Sequence, residues 1–232
     1  MRLKITALSQ RDSRWASILL GYNTSNVYSI GMYGCLITCL STITDRTPNV
    51  TNQILKDNSG YVSGGNFVWG KCTALGLNQT YVSPVYTGLV TDAGVAKAKE
   101  LLKGQYPLLC EIDFNPATMG EEMHFVEVIG YDDNTENFYI MDPWTGEIVS
   151  LDRYGGFRRA VIQFRAYDKK LPIEGAIPVV TCDPNWRIER DNNWNKYLAE
   201  QEKVKTLTAQ LAQKEQEKQS WLQKIKDFIN AL

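Results

Sequence analysis

The chain has 232 residues, of which 44% are hydrophobic and 22% are charged, and its formal net charge is −1. This composition is typical of a globular protein with one ample core, and the near-zero charge gives no electrostatic basis for binding nucleic acid. No apolar run is long enough to span a membrane, and the N-terminal stretch lacks the apolar segment of a signal peptide.

The first hundred residues predict helices. Each helical segment combines apolar spacing with a turn or a glycine at its end. The segments are "GCLITCLSTIT" (34–44), a short helix after the turn at Thr47–Pro48, a helix within 64–76 that ends at Gly76, and a helix at 91–104 that stops at Gly104.

Strand-like runs follow, separated by turn-rich stretches. They are "YPLLCEID" (106–113), "HFVEVIGY" (124–131), "NFYIMD" (137–142) and "RRAVIQFRA" (158–166). The segment "DDNTEN" between the second and third runs predicts a hairpin connection. Helices first and an antiparallel sheet afterwards indicate an α+β fold.

The composition shifts near residue 185 to strong helix formers, with no Gly or Pro from 197 to 232. Alternate steps of three and four residues from Tyr197 to Leu232 reach eleven positions, and eight of these positions are apolar. This heptad pattern predicts a coiled-coil helix over 197–232, after a main domain at 1–180 and a linker at 181–196. The helix is expected to self-associate or bind a partner helix, and the alternative is packing against the main domain.

The five cysteines, at 35, 39, 72, 110 and 182, are odd in number and contain no CxxC pair. This spacing predicts free thiols, with neither a zinc site nor a disulfide framework. Cys110 and Cys39 are expected to be buried in the core. We predict no metal and no cofactor.

His124, the only histidine, begins one strand of the predicted hairpin, and Asp142 ends the other. Because the start of one antiparallel strand lies opposite the end of its neighbour, the two residues are expected at the same edge of the sheet. The carboxylate would accept the imidazole Nδ1–H and orient the ring. The alternative is a buried aromatic histidine and an Asp-Pro strand end.

Cys35 stands where a glycine-containing loop enters an apolar helix, and a helix N-terminus favours a thiolate. It is therefore a candidate nucleophile, and the alternative is a small buried hydrophobe. Gln10, in "SQRDSRW", carries an amide able to donate to an oxyanion together with the Cys35 backbone N–H.

The motifs "SQRDSRW", "YGCLITCLSTIT", "HFVEVIGYDD" and "FYIMDPWTGE" occur in the order Gln, Gly-Cys, His, Asp over about residues 8–165. Together they resemble papain-like cysteine peptidases of the double-glycine, or bacteriocin-leader, type. The resemblance implies a papain-like fold, with Cys35 as nucleophile, His124 as base, Asp142 as the residue that orients it and Gln10 in the oxyanion hole. It also favours stand-alone relatives from bacteria or phages, and a cytoplasmic or virion-associated location.

One residue departs from the family pattern. Members of the group usually have a small residue directly after the nucleophile, and here it is Leu36. A bulkier residue there would narrow the cleft or alter activity.

The first functional hypothesis is a thiol hydrolase that cleaves a peptide or protein substrate, for which the resemblance favours a glycine-containing sequence. A peptidoglycan cross-link peptide is a second substrate class. The alternative hypothesis is an inactive binding or assembly module, oligomerised by the tail, such as a component of a phage particle. The segment "VSGGNFVW" (62–69), with Trp69, is either part of a cleft wall or a glycine-rich turn that enters a helix.

Overall fold

A computed structural model describes residues 1–115 and 123–175, together with residues 203, 206–208, 210–224, 226 and 227. The chain divides into two compact units, Met1–Cys182 and Asp183–Leu232. The linker predicted at 181–196, together with Cys182, lies outside the described residues.

The helices of the first unit occur mainly before the sheet. Their bounds are α1 Ile30–Tyr33, α2 Cys35–Thr44, α3 Pro48–Asp57, a 3₁₀ helix Trp69–Leu75, α4 Asp92–Lys103, a 3₁₀ helix Leu151–Tyr154 and α5 Phe157–Ala160. The predicted helices at 34–44, after Thr47–Pro48 and at 91–104 are confirmed. The segment at 64–76 is a 3₁₀ helix, and it ends at Gly76 in the left-handed conformation (φ 77°).

Local chemistry explains these boundaries. Thr91 caps α4 by accepting a hydrogen bond from the Gly94 N–H at 3.2 Å, and Pro48 begins α3, where a missing N–H costs nothing. In α4 the buried residues Val95, Ala98, Leu101 and Leu102 follow helical spacing. The helix therefore forms a single apolar face, which packs against strands of the sheet.

A six-stranded antiparallel sheet forms the other layer. Its strands are β1 Gln79–Val82, β2 Leu108–Asp113, β3 Met123–Tyr131, β4 Phe138–Asp142, β5 Glu147–Ser150 and β6 Val161–Tyr167. They lie in the order β1-β6-β2-β3-β4-β5. All four predicted strands are present and the α+β class is confirmed, while two short strands, β1 and β5, were not predicted.

The core on one side of the sheet is formed with α2. Ile37, Leu40 and Ile43 of α2 are almost fully buried in one cluster with Leu109 of β2 and Met141 of β4. This packing fixes the axis of α2 across the central strands. The side chains of β3 are buried on both faces for most of the strand, so its register is firmly set.

The β3–β4 hairpin is the feature that positions the site. β3 and β4 pair antiparallel, with Glu127 opposite Met141 and a register irregularity between Val128 and Gly130. The start of β3 therefore lies beside the end of β4, as predicted from the sequence.

The N-terminal segment is fastened to that same end of the hairpin. The Gln10 N–H donates to the Pro143 carbonyl at 2.7 Å, and the Ser9 hydroxyl donates to the Trp144 carbonyl at 3.3 Å. Trp15, almost fully buried, anchors the segment in the core and donates its indole N–H to the Ser9 carbonyl at 2.8 Å. The sequence "SQRDSRW" thus docks on the turn that follows Asp142.

The described residues of the second unit are α-helical. Three apolar side chains of the predicted heptad seam are exposed, namely Leu207, Leu211 and Trp221, and Trp221 is 68% exposed. Coiled-coil pairing of this helix stays a prediction. No helix among the described residues has the length and hydropathy that crossing a bilayer requires.

Candidate active site

Cys35 is the first residue of α2 and follows Gly34 directly. The residue keeps partial exposure, while Cys39, Cys72 and Cys110 are buried; all four are free thiols. This agrees with the prediction that Cys39 and Cys110 are core residues. Burial raises the pKa of the Cys39 thiol well above its usual range, and the thiol group contacts the Phe125 carbonyl oxygen at 3.7 Å. Cys39 is therefore held as an inert thiol.

The Cys35 thiol hydrogen-bonds to the His124 imidazole. Burial by itself raises the pKa of this thiol, but the hydrogen bond and charge of His124 outweigh burial, so the pKa is lowered. The backbone groups of Phe125 and Leu36 also hydrogen-bond to the sulfur and favour the thiolate. The N-terminus of α2 adds its partial positive charge.

His124 lies at the start of β3 and is 6% exposed. Its Nε2 is 3.3 Å from Asp142 Oδ1, so the predicted pairing of these two residues is present. The ring nitrogen is different: the sequence-based prediction paired Nδ1 with the carboxylate, and the structure pairs Nε2.

Charge coupling dominates the protonation of this histidine. Burial lowers the pKa of His124, but hydrogen bonds to Asp142 and Cys35 outweigh it and raise the pKa to about 9. For Asp142, burial raises the pKa, whereas His124, Arg153 and Tyr154 together lower it below the usual range. The three side chains are thus arranged to hold a thiolate, an imidazolium and a carboxylate.

Asp142 is completely buried and accepts four hydrogen bonds. Oδ1 faces His124 and accepts the Trp144 backbone N–H at 3.0 Å. Oδ2 accepts the Arg153 guanidinium at 2.8 Å and the Tyr154 hydroxyl at 2.6 Å. The sequence analysis missed Arg153 and Tyr154, because no motif marks the stretch "LDRY" and its position depends on the path of β5.

Gln10 is buried at the same end of the hairpin. Its side-chain amide donates to the Gly31 carbonyl at 3.1 Å, in the short helix α1 that directly precedes Gly34 and Cys35. A primary amide carries two N–H donors, so one N–H remains beyond this bond. The amide is held between the short helix that precedes Cys35 and the turn after Asp142.

The side chain of Leu36 does not cover the Cys35 sulfur. Its side chain is partly buried and packs against the core cluster that contains Ile37 and Leu40. What Leu36 turns towards Cys35 is its backbone.

Phe125, the residue after His124, begins a row of three aromatic rings. The ring of Phe125, next to His124, lies 5.9 Å from that of Trp69, and Trp69 lies 5.3 Å from Phe67. Trp69 is partly exposed and begins a 3₁₀ helix. The segment 62–69 is thus a turn that enters a helix, as one of the two readings predicted, and the cleft-wall reading stays a prediction.

The described residues include no group of three or more His, Cys, Asp or Glu side chains that would hold a metal ion. Cys35, His124 and Asp142 are instead paired with one another, while the side-chain oxygen of Gln10 is buried without a hydrogen-bond partner. Such a pairing of thiol, imidazole and carboxylate is the arrangement that nucleophilic catalysis by cysteine uses.

A helix that begins with cysteine, packed on an antiparallel sheet with histidine and aspartate at one edge, defines the class of papain-like cysteine peptidases. A family model agrees with this class. The Peptidase_C39-like family model matches residues 3–168, and the chain belongs to that family. The resemblance to papain-like peptidases noted in the sequence is thereby confirmed. A search of curated proteins found no match.

Proposed function

We propose that the protein is a cysteine peptidase that cleaves a peptide or amide bond with Cys35 as nucleophile. The observation that carries the proposal is the hydrogen-bonded chain from Cys35 through His124 to Asp142, at the N-terminus of α2. Few structural roles require a partly exposed thiol to be paired with a buried imidazole whose other nitrogen meets a carboxylate.

The proposed reaction has two halves. The Cys35 thiolate attacks the carbonyl carbon of the substrate, and the His124 imidazolium gives its proton to the leaving amine as the C–N bond breaks. Water then attacks the resulting thioester, His124 takes a proton from it, and the acid product leaves as Cys35 returns to the thiolate. Gln10 and the Cys35 backbone N–H would stabilise the oxyanion in both halves.

The rings of Trp69 and Phe125 pack against each other, and we propose them as an apolar wall of the cleft. The substrate class that follows is a peptide or protein segment, and the family resemblance favours a glycine-containing one. Peptidoglycan cross-link peptides belong in the same substrate panel, since they present the same bond.

A second candidate function is a binding or assembly module that acts through its tail. The observation in its favour is the exposure of Leu207, Leu211 and Trp221 on the helix of the second unit. The two functions do not exclude each other, because the tail contributes no residue to the chemistry proposed for the first unit.

The test of the peptidase proposal needs no substrate. Limiting iodoacetamide, applied across about pH 5 to 9, is followed by mass spectrometry to locate the alkylated cysteine. We expect selective labelling of Cys35 at a pH where the buried thiols stay unlabelled, and slower labelling in His124→Ala.

Cys39→Ala serves as the matched control, because this cysteine lies one turn further along α2 and is buried. It should leave the labelling of Cys35 unchanged. If Cys35 reacts no faster than the other thiols of the folded protein, the peptidase proposal fails and the assembly function takes its place. A reactive Cys35 justifies the search of the substrate panel.

A further inference from the structure

The buried carboxylate of Asp142 has partners on both of its oxygens. Oδ1 meets His124, and Oδ2 accepts hydrogen bonds from Arg153 at 2.8 Å and Tyr154 at 2.6 Å. Arg153 and Tyr154 are consecutive residues of the 3₁₀ helix Leu151–Tyr154, and both are buried. One short element therefore holds the side of Asp142 that faces away from His124.

The charges of this group alternate. A thiolate on Cys35, an imidazolium on His124, a carboxylate on Asp142 and a guanidinium on Arg153 sum to zero. Charges in a poorly solvated interior are tolerated when they are balanced by close partners. Without the Arg153 charge, the other three sum to −1, and protonation of the Cys35 thiol would restore neutrality.

Among the residues that the structure describes, the other titratable groups near the site named next do not supply this balance. Glu127 on β3 is fully buried, and burial raises the pKa of its carboxyl group well above the usual range, which holds it protonated and neutral. Burial likewise raises the pKa of Cys39 on α2 and keeps it a neutral thiol. Glu147 on β5 approaches Arg153 only at 4.0 Å, and its side chain is 61% exposed, so water screens it.

We propose that Arg153 and Tyr154 are positioning residues of the active site. Arg153 provides the positive charge that allows Cys35 to ionise beside His124, and Tyr154 fixes the orientation of the Asp142 carboxylate. The inference rests on the proposed peptidase function for its biological meaning, but its electrostatic content is measurable without any substrate.

The sign of the effect is fixed by electrostatics. Removing a positive charge favours the protonated form of every nearby acid, so Arg153→Met should move the ionisation of both Cys35 and His124 to higher pH. The pH at which each group is half ionised is its titration midpoint. Loss of a residue with a merely structural role would change the amount of reactive protein but leave the midpoints of Cys35 and His124 in place. Arg153→Lys keeps the charge and should restore the midpoints.

The experiment uses the full chain and two readouts. The first is the rate of Cys35 alkylation by iodoacetamide against pH, and the second is the NMR titration of His124, which is unambiguous because the chain has one histidine. In Arg153→Met we expect the alkylation rate at about pH 6 to fall roughly threefold to tenfold, and the His124 midpoint to rise by about half a unit or more. Tyr154→Phe should shift both midpoints in the same direction but less.

Arg159→Met is the control, since Arg159 is exposed on the neighbouring helix α5 and its loss should move neither midpoint. Unmoved midpoints in folded Arg153→Met would overturn the inference. If that variant does not fold, Arg153→Gln, which removes the charge but keeps a hydrogen-bond donor, decides instead, and unmoved midpoints there have the same meaning. Unmoved midpoints in Tyr154→Phe overturn the role of Tyr154.

The two proposals fail in different ways. A wild-type Cys35 no more reactive than the other thiols refutes the peptidase function, while the His124 titration still tests Arg153. A reactive wild-type Cys35 whose midpoints ignore both substitutions refutes only the positioning role.

Discussion

At the scale of single residues, the chemistry depends on where one proton resides between Cys35 and His124. Both groups have little contact with solvent, yet each stabilises the charged form of the other. Asp142 stabilises the imidazolium at the other ring nitrogen. The pKa of Cys35 is lowered and that of His124 is raised to about 9, so the charged pair should persist over a broad range around neutral pH.

The pH dependence of hydrolysis follows from these directions. Activity should rise as Cys35 loses its proton, which the lowered pKa places below the ordinary range of a cysteine thiol, and fall as His124 loses its proton near pH 9. Asp142→Asn removes the negative charge beside His124, which lowers the pKa of the imidazolium, and should move the alkaline limb to lower pH. The pH profile of kcat/KM for a cleaved peptide measures both limbs, and an unmoved alkaline limb would contradict the coupling.

Gln10, Cys35, His124 and Asp142 were predicted to form the site because each stands in a motif whose order is informative. The structure brings Cys35, His124 and Asp142 together, while the catalytic roles of the four residues stay a prediction. The ring nitrogen that meets Asp142 was predicted wrongly, because the sequence carries no information on the rotamer of the imidazole. Arg153 and Tyr154 were missed because they follow the unpredicted strand β5 directly, so nothing in the sequence placed them beside Asp142.

At the scale of elements, the junction between α1 and α2 controls the position of the nucleophile. Gly34 joins the two helices, and its N–H donates to the Ile30 carbonyl at 2.8 Å. A Cβ atom at this position would lie 2.7 Å from Ile30 Cγ2 and closer still to the Ile30 carbonyl oxygen. Only a residue without a side chain lets the chain turn this tightly into α2.

Gly34→Ala should therefore displace the start of α2 and slow the alkylation of Cys35. The strain should also destabilise the folded state by about 1–3 kcal/mol, as overpacking usually does. Thermal unfolding and the rate of Cys35 labelling measure the two effects. Gly70→Ala is the matched control, since an added Cβ there would meet no atom within 4 Å. Equal behaviour of the two variants would show that the junction is not tight.

Elements with strong local signals were predicted well. The helices α2, α3 and α4 and the strands β2, β3, β4 and β6 have apolar spacing with clear stops. The short strands β1 and β5 have only four residues each, too few for an alternating pattern, and they exist because longer neighbours offer an edge to pair with. The segment before Gly76 was predicted as helical, but its 3₁₀ geometry is set by packing of Cys72 and Leu75 into the core.

At the scale of the whole molecule, the question is what the second unit does. Its described residues form a helix that exposes Leu207, Leu211 and Trp221 to solvent. The heptad spacing predicts that these side chains meet another helix, either in a second copy of the chain or in a partner. Composition predicted the helix, but it does not identify the surface against which the exposed apolar side chains would pack.

Leu211→Glu in the full chain should reduce self-association while leaving the labelling of Cys35 intact. A charge placed in an apolar seam destabilises helix pairing, and Leu211 is 62% exposed, so folding of the first unit should not depend on it. Sedimentation velocity measures the oligomeric state. Gln213→Glu, an exposed position off the seam, is the control. A wild-type chain that is monomeric at all concentrations would instead favour packing on the main domain or binding of a different partner.

The division of the site between two layers has a practical consequence. Cys35 belongs to the helical layer, whereas His124 and Asp142 belong to the sheet. The fast-reacting thiol that we propose for Cys35 would therefore exist only where the two layers are correctly docked. The fraction of chains that a limiting thiol reagent titrates quickly is then a direct count of correctly assembled molecules. This fraction can be compared between preparations, storage conditions or variants before a substrate is known, as active-site titration does for an established enzyme.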